Sequence, residues 1–145
     1  MADAQRTAEA VWEGSLAEGA GAVTLTSSGA AGPLPVTWAS RTARSEGKTS
    51  PEELIAAAHA ACFSMALSAG LAKEDHPPEE LKTSATVTFQ PGEGITKIAL
   101  AVVGRVPGLD AAAFEEAAQG AKANCPVSKA LAGVPEITLD ATLAS

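Results

Sequence analysis

Hydrophobic residues come first in short runs broken by glycine, then in one long stretch, and then in alternation with polar residues. The short runs Thr7 to Glu13 and Gly21 to Ser28 read as strands, with Val36 to Ser40 as a third. Gly29 to Pro35 reads as a turn or loop, and Ala43 to Thr49 as a polar connection. A helix then opens with a clear start signal: Ser50 as N-cap, Pro51 at the first helical position and Glu53 three residues after Ser50. Glu53 therefore has a structural task, closing a capping box. Glu52 is not needed for it.

From Leu54 to Leu71 this helix is apolar around most of its circumference, so it must be covered on all sides. One sheet covers one face. The other face is expected to pack on a second copy of the chain, and the small residues Ala56, Ala57, Ala58, Ala60 and Ala61 permit close approach. Two strands follow, Thr83 to Gln90 and Ile95 to Val106, joined by the turn Pro91-Gly92-Glu93-Gly94. Asp110 can cap a second helix reaching about Ala123, and Asn124-Cys125-Pro126 starts a short one through about Leu131. In the last strand, Glu136 to Leu143, residues Ile137, Leu139, Ala141 and Leu143 face one way. The order of elements predicts a single α+β domain over residues 1–145.

Composition narrows the function classes. With 46% hydrophobic and 19% charged residues the chain is globular, and a net charge of -7 without a basic cluster excludes a nucleic-acid backbone partner. No apolar core of a signal peptide lies in the first residues, so a cytoplasmic location is expected. The uncharged run Ile55 to Ala72 approaches the length of a membrane span. Alanine supplies much of it, and it includes His59, two serines and Gly70, so a buried globular helix is the better reading and no membrane partner is expected.

Two cysteines occur, 63 positions apart, which fits neither a zinc knuckle nor a Cys-x-x-Cys loop. Cys62 lies within the long apolar helix, where a cysteine is most often an inert small hydrophobe. Cys125 lies at the start of a short helix, where backbone N–H groups favour a thiolate. By physics alone Cys125 is the more acidic thiol, and Cys62 needs a nearby cation to become reactive. His59 is three positions before Cys62 and can share its helix face, as a catalytic partner, half of a metal site or a hydrogen-bonded interior histidine. His76 sits in a loop without close partners. Neither a phosphate-binding loop nor a Gly-x-Ser-x-Gly elbow is present.

Two segments carry more specific information. Thr49-Ser-Pro-Glu-Glu-Leu-Ile-Ala-Ala-Ala-His-Ala-Ala-Cys62-Phe-Ser-Met-Ala-Leu-Ser68 and Ala123-Asn-Cys125-Pro-Val-Ser128 resemble the OsmC/Ohr family (osmotically inducible protein C and organic hydroperoxide resistance protein). The Ala-Ala-His-Ala-Ala-Cys form resembles the OsmC branch. The likeness continues through Ile95-Thr-Lys-Ile-Ala-Leu, Val106-Pro-Gly-Leu-Asp and Glu136-Ile-Thr-Leu-Asp, covering almost the whole chain in order. It implies antiparallel sheets packed on a long buried central helix in an intertwined homodimer. It also implies a peroxidase that reduces organic hydroperoxides, and hydrogen peroxide less well, without metal, haem or flavin. Cys62 is then peroxidatic, forming a sulfenic acid that Cys125 resolves to a disulfide, which an external lipoyl-type or thioredoxin-like dithiol reduces. The resemblance thus reverses the order that physics alone assigns to the thiols.

Carried over by position, Glu52 is the family's active-site glutamate, and its arginine falls on Arg41 in Trp38-Ala-Ser-Arg41, with Arg44 as the lesser candidate. Arg41 would supply the cation that Cys62 needs, and Glu52 would hold the guanidinium. Phe63, Met65 and Ile55 would favour a carbon-tailed substrate. Ten residues of continuous helix separate Glu52 from Cys62 by about 15 Å. Either Glu52 comes from the partner subunit or the helix breaks between them. An apolar-ligand-binding dimer and a redox sensor without turnover are the rival classes.

Overall fold

The computed structural model describes residues 3–144. They pack as two compact units, Met1–Pro51 and Glu52–Ser145.

The first unit holds strands β1 (Glu9–Glu13), β2 (Ala20–Thr24) and β3 (Leu34–Val36) in an antiparallel sheet of order β1-β2-β3. Trp12 pairs with Gly21, and a Cβ at Gly21 would meet the indole at 2.6 Å, so glycine there lets the ring lie across the neighbouring strand. The third strand ends earlier than expected. Val36 is its last residue, and Val36 to Ser40 is not a strand: Trp38–Thr42 form a short helix, α1. The reason is local. Thr37 Oγ1 accepts from the Ser40 N–H at 3.0 Å, and Ser40 Oγ accepts from the Thr37 N–H at 2.9 Å. This is a capping box in which serine stands where Glu or Gln is usual. Ser40 also donates to the Thr49 carbonyl at 2.9 Å and is, among the described residues of this unit, the one that is buried. Among the described residues of this unit no apolar side chain is buried; Val11 is 64% and Leu16 60% exposed.

In the second unit, helix α2 (Pro51–Lys73) begins at the expected proline and runs unbroken for 23 residues. Strands β4 (Glu80–Gln90) and β5 (Gly94–Arg105) form the expected hairpin. Helices α3 (Ala111–Asn124) and α4 (Pro126–Ala130) follow, then β6 (Glu136–Leu143). Asp110 caps α3 by accepting from the Ala113 N–H at 2.8 Å. The second sheet has order β4-β5-β6, and β6 runs parallel to β5, so it is mixed where an antiparallel sheet was expected. The two helices between β5 and β6 return the chain to the end of the sheet where β5 began. The next strand must then run in the same direction.

One face of this sheet is apolar. Ile98, Leu100 and Val102 of β5 cluster with Phe63, Leu67 and Leu71 of α2 and with Phe114, Ala118 and Ala121 of α3. Ile137, Leu139, Ala141 and Leu143 of β6 join the edge of the cluster as the alternation predicts. Helix α2 is long and apolar enough to cross a membrane by length and composition, yet it lays the i, i+4, i+8 stripe Phe63, Leu67, Leu71 into this core. Its opposite side is uncovered in the single chain: Ala58, Ala61, Met65, Ala69 and Ala72 are exposed, Met65 at 72%. The expected burial on all sides is therefore met on one.

Candidate functional site

Fold geometry brings the two distant cysteines together. Cys62 sits on the middle of α2, half-buried, and Cys125 is fully buried at the joint where α3 ends and α4 begins. Cys125 serves both helices: its N–H donates to the Ala121 carbonyl at 2.9 Å, and its own carbonyl accepts from the Lys129 N–H at 3.0 Å. Pro126 takes the first position of α4, where no N–H donor is required. The backbone therefore turns sharply at Cys125 and aims the first N–H groups of α4 at the thiols.

Both thiols are free, and they lie close enough to shift one another's ionisation. Burial pushes the Cys62 thiol up; its hydrogen bond to Cys125 pushes it further, and the Val127 N–H opposes the rise. Burial also acts to raise Cys125. The hydrogen bond from Cys62, the Ser128 N–H and hydroxyl, and the Val127 N–H together outweigh it and hold this thiol below the ordinary cysteine value. Because each thiol acts on the other, the two ionise as one system. Cys62 is the thiol that solvent reaches.

His59 lies on the same helix as Cys62 and is fully buried. Its Nε2 is 2.7 Å from Ser128 Oγ, and burial lowers its pKa. The imidazole is thus tied to the segment that carries Cys125. The i, i+3 spacing to Cys62 did not point there. Ser128 and Val127 were not singled out beforehand, although Ser128 stands three positions after Cys125, the spacing at which a side chain folds back on a helix start. His76 is elsewhere, at the far end of α2, with its Nδ1 3.3 Å from the Pro107 carbonyl.

Glu52 occupies the first turn of α2 and is buried, 6% exposed. Because α2 is continuous from Pro51 to Lys73, Glu52 and Cys62 of one chain stay about 15 Å apart along the helix. Of the two ways to unite them, a broken helix is ruled out. Arg41 lies on α1, half-buried, with its guanidinium 5.7 Å from the centroid of the Trp38 ring, a cation–π contact. Arg44 is exposed beyond the end of that helix. Among the described residues no group of three His, Cys, Asp or Glu could hold a metal ion. A surface groove of the second unit, about 650 Å³, lies between the C-terminal half of α2 and α3, lined by Ala66, Gly70, Leu109 and Ala117, and carries neither cysteine.

Comparison with known proteins identifies the relatives of this chain. The model of the family described as OsmC-like protein matches residues 44–140. Peroxiredoxin OsmC of Escherichia coli (strain K12) is 46% identical over 140 residues, 94% of this chain and 95% of that protein. The organic hydroperoxide resistance protein OhrA of Bacillus subtilis (strain 168) is 35% identical over 102 residues, 69% of this chain and 72% of that one. Among solved structures, the organic hydroperoxide resistance protein OhrB of Bacillus subtilis superposes with a TM-score of 0.64 at 26% identity, covering 95% of this chain and 98% of the other. The α+β fold, the paired cysteine segments and an alignment running nearly end to end lead to one conclusion: this chain belongs to the OsmC family.

Proposed function

We propose that this protein is a cysteine-based peroxidase that reduces organic hydroperoxides, and hydrogen peroxide less well, in the cytoplasm. The observation that carries this reading is the meeting of Cys62 and Cys125, far apart in sequence yet close enough in the fold that each acts on the ionisation of the other. A pair so placed can close to a disulfide with little movement of α2 or α4. The family relationship supports the same reading, since the Escherichia coli relative is named a peroxiredoxin and the Bacillus subtilis relatives are named for resistance to organic hydroperoxides.

Chemistry then runs in three steps. The Cys62 thiolate attacks the peroxide oxygen, the O–O bond breaks, and an alcohol leaves with Cys62 as a sulfenic acid. The Cys125 thiolate attacks the sulfenic sulfur; the S–S bond forms as the S–O bond breaks, and the departing hydroxide is protonated to water. An external dithiol, lipoyl-type or thioredoxin-like, returns both thiols. The order follows from exposure: Cys62 is the sulfur that a substrate can reach, while Cys125 is enclosed and already biased toward thiolate.

That bias leaves Cys62 protonated in the reduced pair, so the first step needs a cation. Arg41 takes that role in this reading, with Glu52 of the partner subunit holding the guanidinium. Two features support the shared site: the continuous helix between Glu52 and Cys62, and the exposed apolar stripe of α2, which suits the dimer. The test is consumption of cumene or tert-butyl hydroperoxide with excess dithiol. Wild type turns over; Cys62→Ser does not react; Cys125→Ser reacts with one equivalent and retains a trappable sulfenic acid. Equal and complete loss of the first oxidation in both variants refutes the assignment of roles.

A further inference from the structure

One buried side chain is left unexplained by this mechanism. His59 is fully buried, and its Nδ1 has no hydrogen-bond partner. A bare buried polar atom costs about 1–3 kcal/mol, so a histidine kept in such a place calls for a reason. Apolar side chains of similar volume would fill the space without that cost.

The hydrogen bonds supply one. Ser128 Oγ is 2.7 Å from His59 Nε2, and the same hydroxyl hydrogen-bonds to the Cys125 sulfur. A serine has a single hydroxyl proton. If that proton points at the sulfur, the oxygen must accept from His59, and Nε2 must carry the imidazole proton. Nδ1 is then a bare lone pair, in agreement with its lack of a partner. The opposite tautomer would bury an unpaired N–H and turn the Ser128 proton away from Cys125. The order along the chain of bonds is therefore His59 Nε2–H to Ser128 Oγ, and Ser128 O–H to Cys125 Sγ. The remaining groups acting on Cys125 are the Cys62 thiol of α2 and the N–H groups of Val127 and Ser128.

We propose that His59 is a positioning residue for the resolving thiol: as the neutral Nε2–H tautomer it orients the Ser128 hydroxyl toward Cys125, the sulfur that closes the disulfide. The inference rests on the peroxidase reading for its place in the cycle. It alters only the resolution step. The thiolate forms the S–S bond, and the hydroxide that leaves Cys62 takes up the proton that Cys125 gave up on ionising, so no further reactant is needed. His59 itself neither gains nor loses a proton, which suits a site where a cation would be unpaired.

The experiment has two arms. In the full chain carrying Cys62→Ser, ionisation of Cys125 is followed by thiolate ultraviolet absorbance against pH, which requires no peroxide. In the chain with both cysteines, the rate of disulfide closure after a single equivalent of organic hydroperoxide is followed apart from sulfenic acid formation. Ser128→Ala and His59→Leu are expected to move the Cys125 titration to higher pH and to slow closure about tenfold, the scale of one hydrogen bond to a charged group, with sulfenic acid formation little changed. His59→Gln presents an amide N–H to the same oxygen and is expected to restore most of both. A titration unmoved in Ser128→Ala and His59→Leu overturns the proposal, as does His59→Gln behaving like His59→Leu. If His59→Leu fails to fold, Ser128→Ala, which removes one oxygen atom, decides the matter. A shifted titration in a protein that does not consume peroxide supports the role of His59 and refutes the peroxidase reading instead.

Discussion

Acid should weaken this fold through His59, by an amount that follows from its burial. An ordinary histidine titrates near 6.5, and burial of His59 lowers its value in the folded chain. Below that pH the unfolded chain binds a proton at this position that the folded chain refuses. The unfolded state then holds more protons, so stability falls as pH drops from 6.5 toward the folded value and is fully present above 6.5. Each pH unit in that window removes up to about 1.4 kcal/mol. The assay is urea unfolding from about pH 7.5 to about 4.5, at fixed protein concentration and under reducing conditions, for wild type and His59→Gln. Carboxylates titrate in the acid part of this range in both proteins, so the difference between them isolates the histidine. That difference should narrow steadily as pH falls below 6.5, because glutamine has no proton to take up. A difference that stays constant across the range would show that His59 titrates alike in the folded and unfolded chains, and one that widens toward acid would show a folded-state imidazolium and refute the neutral assignment.

Arg41→Ala should slow oxidation of Cys62 by orders of magnitude, Arg41→Lys should recover part, and Arg44→Ala should do neither, measured as the second-order rate with an organic hydroperoxide against pH. The protein should sediment as a homodimer, because the apolar stripe Ala58, Ala61, Met65, Ala69, Ala72 of α2 is exposed in one chain; a stable folded monomer at micromolar concentration would also remove the shared Glu52. Gly104→Ala should destabilise by about 1–3 kcal/mol in urea unfolding, since a Cβ there would lie 2.5 Å from Phe114, which is itself fully buried and has no room to move.

Much of the fold can be read in the sequence because its signals are local. Pro51 after a capping residue marks the start of α2, the alternation of Ile137 to Leu143 marks β6, and Asp110 marks α3. The family is also legible, through the two cysteine segments. The start of α1 is local too: Thr37 and Ser40 form a capping box that outcompetes the strand preference of the β-branched Val36 and Thr37. What the tertiary structure alone decided are relations between segments. Nothing in β6 says that it pairs parallel to β5, because direction depends on the path of the helices between them. Nothing in the spacing of His59 and Cys62 says that the imidazole turns to Ser128, because an i, i+3 pair shares a helix face but not a partner. Likewise the ionisation order of the thiols depends on which N–H and O–H groups meet which sulfur once α2 and α4 are packed together. Hydrophobic periodicity sets which elements form; hydrogen bonds between elements set what the cysteines can do, and those exist only after the chain has folded.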